Sequence, residues 1–117
     1  MTIRQSILCA ALFTGALAGA AHAADKPAPP APPIKASFDC AKAKGRIQTL
    51  ICGDADLATL DVQEDQLLRR ARIKSAQPEA VGAEEDQWRS ERDGCSSAAC
   101  IARAYRRRLV DLHRWTN

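Results

Sequence analysis

The apolar positions of this chain recur at helical intervals over most of its second half. From Asp54 to about Lys74, Leu57, Leu60, Leu67, Leu68 and Ala71 fall at three- and four-residue spacings and trace one stripe. Asp54 stands where an N-cap belongs and Asp56 follows in the first turn. Arg69, Arg70, Arg72 and Lys74 gather at the other end, the charge order a helix dipole favours. Pro78 opens a second helix through about Arg92, with Val81, Glu85, Trp88 and Arg92 on one face, and Gly94-Cys95-Ser96-Ser97 ends it. A third helix begins near Ala99 and turns Ile101, Ala104, Tyr105, Leu109 and Leu112 inward; a shorter helical turn over Lys42 to Cys52 comes first. No stretch alternates β-branched or aromatic residues with polar ones, so no strand is predicted. The expected fold class is all-α: a small antiparallel helical hairpin or bundle with a short N-terminal helix. Its expected core is Phe38, Ile51, Leu57, Leu60, Leu67, Trp88, Ile101, Tyr105, Leu109 and Leu112.

Upstream of the helices the pattern changes twice. Arg4 supplies the only charge before Ser6 to Leu17, which run almost wholly apolar, and Ala21-His22-Ala23 gives small residues flanking a cleavage point. Residues 1–23 therefore read as a secretory signal peptide cut after Ala23. A membrane anchor is the rival reading, but the apolar run falls short of the roughly 20 residues that a bilayer core needs. Cys9 raises a lipoprotein alternative; it sits early in the apolar run instead of ending it after small residues, so no stable membrane anchor is expected. Residues 24–36 contain five of the six prolines outside any periodic pattern, within Asp25 to Lys35, and read as a semi-rigid polyproline spacer. Residues 37–117 form the expected domain.

Cleavage after Ala23 removes Arg4 and no acid, taking the net charge from +3 to +2. That near balance points to neither nucleic acid nor a membrane surface by itself. It also removes one of the five cysteines, leaving Cys40, Cys52, Cys95 and Cys100. Four cysteines in a short exported chain read as a disulfide framework, which a small domain with a thin core needs. Three pairings are open; Cys40–Cys52 with Cys95–Cys100 is preferred because each pair brackets a turn. Zinc is the rival reading, but no C-x2-C pair is present and His113 is the one histidine of the mature chain. No metal and no cofactor is expected.

The ordered set Ser37-Phe38-Asp39-Cys40, Leu50-Ile51-Cys52, Leu57-Ala58-Thr59-Leu60-Asp61, Gln87-Trp88, Arg92-Asp93, Cys95, Cys100, Tyr105 and Arg108-Leu109 resembles the LprI-type lysozyme inhibitor N-terminal domain family. The resemblance runs from about Ser37 to Leu112. It implies the same disulfide pairing and an exported binding protein, periplasmic or secreted, that inhibits a lysozyme stoichiometrically. Gln48 departs from the glutamate that members often carry four residues before the second cysteine. Some members are lipoproteins with a further C-terminal domain, and this sequence reads as neither.

Candidate chemistry is sparse. Asp39, Asp61 and Asp93 have bland roles open to them: a cap, an arginine partner, a pair with Arg89 or Arg92. No catalytic residue is assigned and no enzyme is expected. Arg103, Arg106, Arg107, Arg108 and Arg114 give the last helix a basic face; a solvated face is the simpler reading than nucleic acid, and Arg108 has Asp61 or Asp93 as a structural partner. Asp54, Asp56, Asp61, Glu64 and Asp65 cluster near the start of the long helix and are the candidate partner-binding residues. Acids there suit the basic rim of an animal-type lysozyme cleft. The alternative is an envelope scaffold or accessory module that binds a protein and inhibits nothing.

Overall fold

Four helices follow one another in the computed structural model, which describes residues 27–117. α1 spans Gly45–Cys52, α2 Ala55–Lys74, α3 Pro78–Asp93 and α4 Ala98–His113, with a 3-10 turn over Cys40–Lys42 ahead of them. No strand occurs among the described residues. The expected signal segment lies outside them. Residues 27–36 carry no helix or strand, and Ala31–Asn117 form one compact unit.

Local chemistry explains where each helix begins. The Asp54 carboxylate accepts from the backbone N–H groups of Asp56 and Leu57 at 2.9 and 3.1 Å, so it caps α2 as its position suggests. Ser97 does the same for α4, its hydroxyl accepting from Cys100 N–H at 3.2 Å. Pro78 occupies the first turn of α3, where its missing N–H costs no hydrogen bond. Asp39 caps the 3-10 turn through Ala41 N–H. Gly45 opens α1 with φ +75°, a conformation other residues rarely adopt.

α2 and α3 form the antiparallel hairpin, and α4 returns alongside α2. Contacts fall in three levels that fix these directions. At the first, Asp61, Trp88 and Tyr105 meet; at the second, Glu64, Glu85 and Arg108; at the third, Leu68, Ala71, Val81 and Leu112. The apolar core is consequently split in two. One cluster holds Ile51, Leu57, Ala58, Trp88, Cys95, Ile101 and Tyr105; the other holds Leu67, Leu68, Ala71, Val81 and Leu112. Phe38 and Leu60 pack against the first and Leu109 against the second, each only partly buried. Trp115 also closes over the second cluster and donates to Glu84 at 3.0 Å, so the ordered domain continues past Leu112.

Both disulfides are those preferred from the sequence, Cys40–Cys52 and Cys95–Cys100. Arg46 adds a third tie at that end, donating to the Cys95 carbonyl at 2.7 Å and so joining α1 to the α3–α4 turn. In the chain-entropy account, closing a loop with 12 residues of separation stabilises the fold by about 3 kcal/mol. The double variant C40S/C52S is expected to lose about that much in urea unfolding at unchanged slope. No loss would mean that packing alone holds the 40–52 loop.

Candidate functional site

The five acids singled out from the sequence do not share a surface. Asp56 is exposed, Asp54 is occupied as a cap, and Asp65 pairs with Arg69 one turn on. Asp61 and Glu64 lie inside, 5% and 4% exposed. They fill the gap in the α2 stripe, because Leu57, Asp61, Glu64, Leu68 and Ala71 share the inward face. Only Asp54, Asp56 and Asp65 of the five reach solvent.

Asp61 meets a phenol and a backbone amide instead of an arginine. Its carboxylate accepts from the Tyr105 hydroxyl at 2.7 Å and from Ser37 N–H at 2.6 Å. The bond to Ser37 pins the segment ahead of the first disulfide onto α2. Burial, together with Asp61 as acceptor, pushes the Tyr105 phenol above its usual range and keeps it a donor. Trp88 stands edge-on to Tyr105 with ring centres 5.2 Å apart, and its indole N–H donates to the Ala104 carbonyl. The Arg92 guanidinium lies 5.1 Å from the Trp88 ring centre, bonds the Tyr105 oxygen and pairs with Asp93.

Arg108 leaves the basic face altogether. It is 2% exposed and points between α2 and α3, where it meets Glu85 at 3.1 Å, Glu84 at 3.6 Å and Glu64 at 3.8 Å. Asp61 and Asp93, its expected partners, are engaged elsewhere. Glu85 is 1% exposed and is bridged on its other oxygen by Arg89. Glu64 Oε1 and Arg108 Nε make no hydrogen bond. Burial, and then the neighbouring Glu85, push the Glu64 carboxyl up to about 8, against the opposite pull of Arg108 and Arg89. A protonated Glu64 beside Glu85 leaves the layer with one fewer uncompensated charge.

Two shallow features flank this interior. A cleft of about 210 Å³ opens between the Ser37-Phe38 segment, Gln48 and Ile51 of α1, Asp61, Glu64 and Asp65 of α2, and Arg89 and Arg92 of α3. A more apolar groove lies where Pro32 to Lys35 run past Ala55, Ala58 and Thr59. Among the described residues, no three His, Cys, Asp or Glu side chains are arranged to hold a metal ion. No described helix is long and apolar enough to cross a membrane.

The exposed charges are sorted by helix. α3 carries six acids against two arginines, with Glu79, Asp86, Glu91 and Asp93 exposed. α4 exposes Arg103, Arg106, Arg107 and Arg114. The α3 surface was not singled out from the sequence, although Glu84-Glu85-Asp86 marks it.

Lipoprotein LprI of Mycobacterium tuberculosis and that of Mycobacterium bovis are each 32% identical to this chain over 102 residues, 83% of its length. The chain is LprI-like. It spans 51% of the length of these relatives, so the likeness concerns about half of each. No family model and no solved structure matches.

The charged layer of this LprI-like domain makes two measurable demands. Between about pH 4.5 and 8 the native chain holds a proton on Glu64 that the unfolded chain has released. Stability should therefore be greatest below that window and fall as pH rises through it. E64Q, a neutral donor in the same place, is expected to flatten this slope in denaturant titrations and to exceed the parent above pH 8. R108L, which leaves the buried Glu85 with Arg89 as its remaining cation, is expected to cost about 3 kcal/mol, the low end for a broken buried pair. Parental stability in R108L would mean that Arg89 alone suffices as the partner of Glu85.

Proposed function

We propose that this chain is an exported, envelope-associated binding protein that inhibits a lysozyme by stoichiometric association. The observation that carries the reading is the LprI-like sequence over 83% of the chain. The relatives' description as lipoproteins favours an envelope or exported location, as does a domain held by two disulfides. The inhibitory activity comes from the family that the Ser37–Leu112 motif set resembles.

The fold suits a binder in two respects. Its helices are tied covalently at one end, so an interface can form with little loss of conformational freedom. Its acids are displayed on the outside of α3 and at Asp56, where a cationic partner can be drawn in by charge. A lysozyme cleft, which works through two carboxylates, can be blocked without chemistry in the inhibitor. The second reading, a scaffold that binds an envelope protein and inhibits nothing, shares every one of these features except the lysozyme.

The deciding measurement is hen-type lysozyme activity on cell walls, titrated with the oxidised chain from Ala24. Inhibition saturating near one-to-one is expected. D86K/E91K should then weaken inhibition about tenfold, chiefly through slower association and reduced salt dependence. D56K tests the α2 surface in the same assay. Full lysozyme activity at large inhibitor excess would exclude this target and leave the scaffold reading.

A further inference from the structure

α4 has two faces with opposite characters. Ile101, Ala104, Tyr105, Arg108 and Leu112 are buried and committed to the core. Arg103, Arg106, Arg107, Val110 and Arg114 are exposed and share the opposite face, within roughly 100° of the helical circumference. Asp111 borders that face, and no acid stands between its arginines around the helix. Arg103, Arg106 and Arg107 enter none of the ion pairs among the described residues. Arg114 reaches Asp111 at 3.5 Å while remaining 68% exposed. In the middle of these cations Val110 is 69% exposed.

The geometry points to this face of α4 as a docking surface for an anionic phospholipid bilayer. Cations around one protruding apolar side chain suit the headgroup level of an anionic bilayer: the arginines meet phosphates and the valine reaches toward the acyl boundary. A soluble polyanion would satisfy the arginines equally but would leave Val110 without a role. Charge placement elsewhere agrees. The acids of α3 belong to another helix and meet the basic face only at its end, where Glu84, Glu91 and Asp111 line one groove with Arg114. An anionic surface therefore attracts the protein with Arg103, Arg106 and Arg107 leading despite the small net charge. Because the inner face of α4 is held by the core, the helix cannot sink or span. Attachment is therefore peripheral, reversible and weakened by salt. It does not depend on which protein is bound elsewhere.

The test is vesicle flotation of the oxidised chain from Ala24, which retains the compact unit and both disulfides. Binding to phosphatidylcholine vesicles containing phosphatidylglycerol is expected, with none to pure phosphatidylcholine and a decline as salt rises. Each arginine contributes about fivefold near an anionic surface, so R103Q/R106Q/R107Q should lower partitioning on the order of a hundredfold. V110S should lower it severalfold with the salt dependence unchanged. These exposed positions leave the helical circular dichroism intact, which is checked for each variant. Equal binding to both vesicle types, parental binding by the triple variant or by V110S, or binding to heparin with none to vesicles would overturn the proposal.

Discussion

A guanidinium in the middle of a domain of this size constrains everything around it. Arg108 cannot be left unpaired, because an isolated buried cation costs several kcal/mol that a small core does not supply. Glu85 of α3 must therefore stand opposite it at 3.1 Å, with Glu84 at the edge and the protonated Glu64 of α2 as a neighbour at 3.8 Å. That requirement specifies the relative sliding of α3 and α4, since a shift of α3 by one helical turn would bring Val81 or Trp88 opposite the guanidinium, and neither carries a countercharge. Hydrophobic packing above and below the layer is non-directional, whereas the Arg108–Glu85 pair is made in this register. The net stability gained from the cluster is small, and its contribution is to single out an arrangement.

The same layer marks the limit of what could be read from the sequence. Helix number, boundaries, caps and disulfide pairing were legible because each rests on local signals: periodic leucines, Asp54, Pro78, Gly94 and cysteines five and twelve residues apart. The inward turn of Tyr105 followed from its spacing with Ile101, Leu109 and Leu112. Reading polarity as exposure puts Asp61 and Glu64 on the surface, whereas Arg108 does enter a structural ion pair as the sequence suggests, but with Glu85 and Glu84 in place of Asp61 or Asp93. Spacing carried the contrary signal, for Ile101, Tyr105, Arg108 and Leu112 lie four, three and four residues apart. Leu57, Asp61, Glu64 and Leu68 repeat that rhythm. What no local pattern could supply is the pairing across helices, which decides whether an inward charge is satisfied.

Removing these groups from the surface alters the electrostatic picture of the outside. With Asp61 and Glu64 inside, the start of α2 no longer forms an acidic patch, and the exposed acids are concentrated on α3. With Arg108 inside, the basic face of α4 loses a member, and of its remaining arginines Arg114 is paired, with Asp111, while Arg103, Arg106 and Arg107 enter no ion pair among the described residues. A net charge near neutrality thus conceals two faces of opposite sign.

Stability is also distributed unevenly along the bundle. The end that holds Ile51, Trp88, Ile101 and Tyr105 contains both disulfides, the Arg46 bond to the Cys95 carbonyl and the Ser37–Asp61 bond. The far end has only Leu67, Leu68, Ala71, Val81 and Leu112, closed by Trp115 on Glu84 and by Lys74 on the Thr116 carbonyl. The charged layer lies between them and interrupts apolar contact. Opening the far end exposes few large side chains and breaks no covalent tie, whereas opening the stapled end requires the aromatic pair to part while its loops stay closed. Local opening is therefore cheaper at the α2–α3 turn and the C-terminus than around the disulfides. α3 and α4 cross both regions, and the surfaces they present are held most firmly where they approach Cys95 and Cys100.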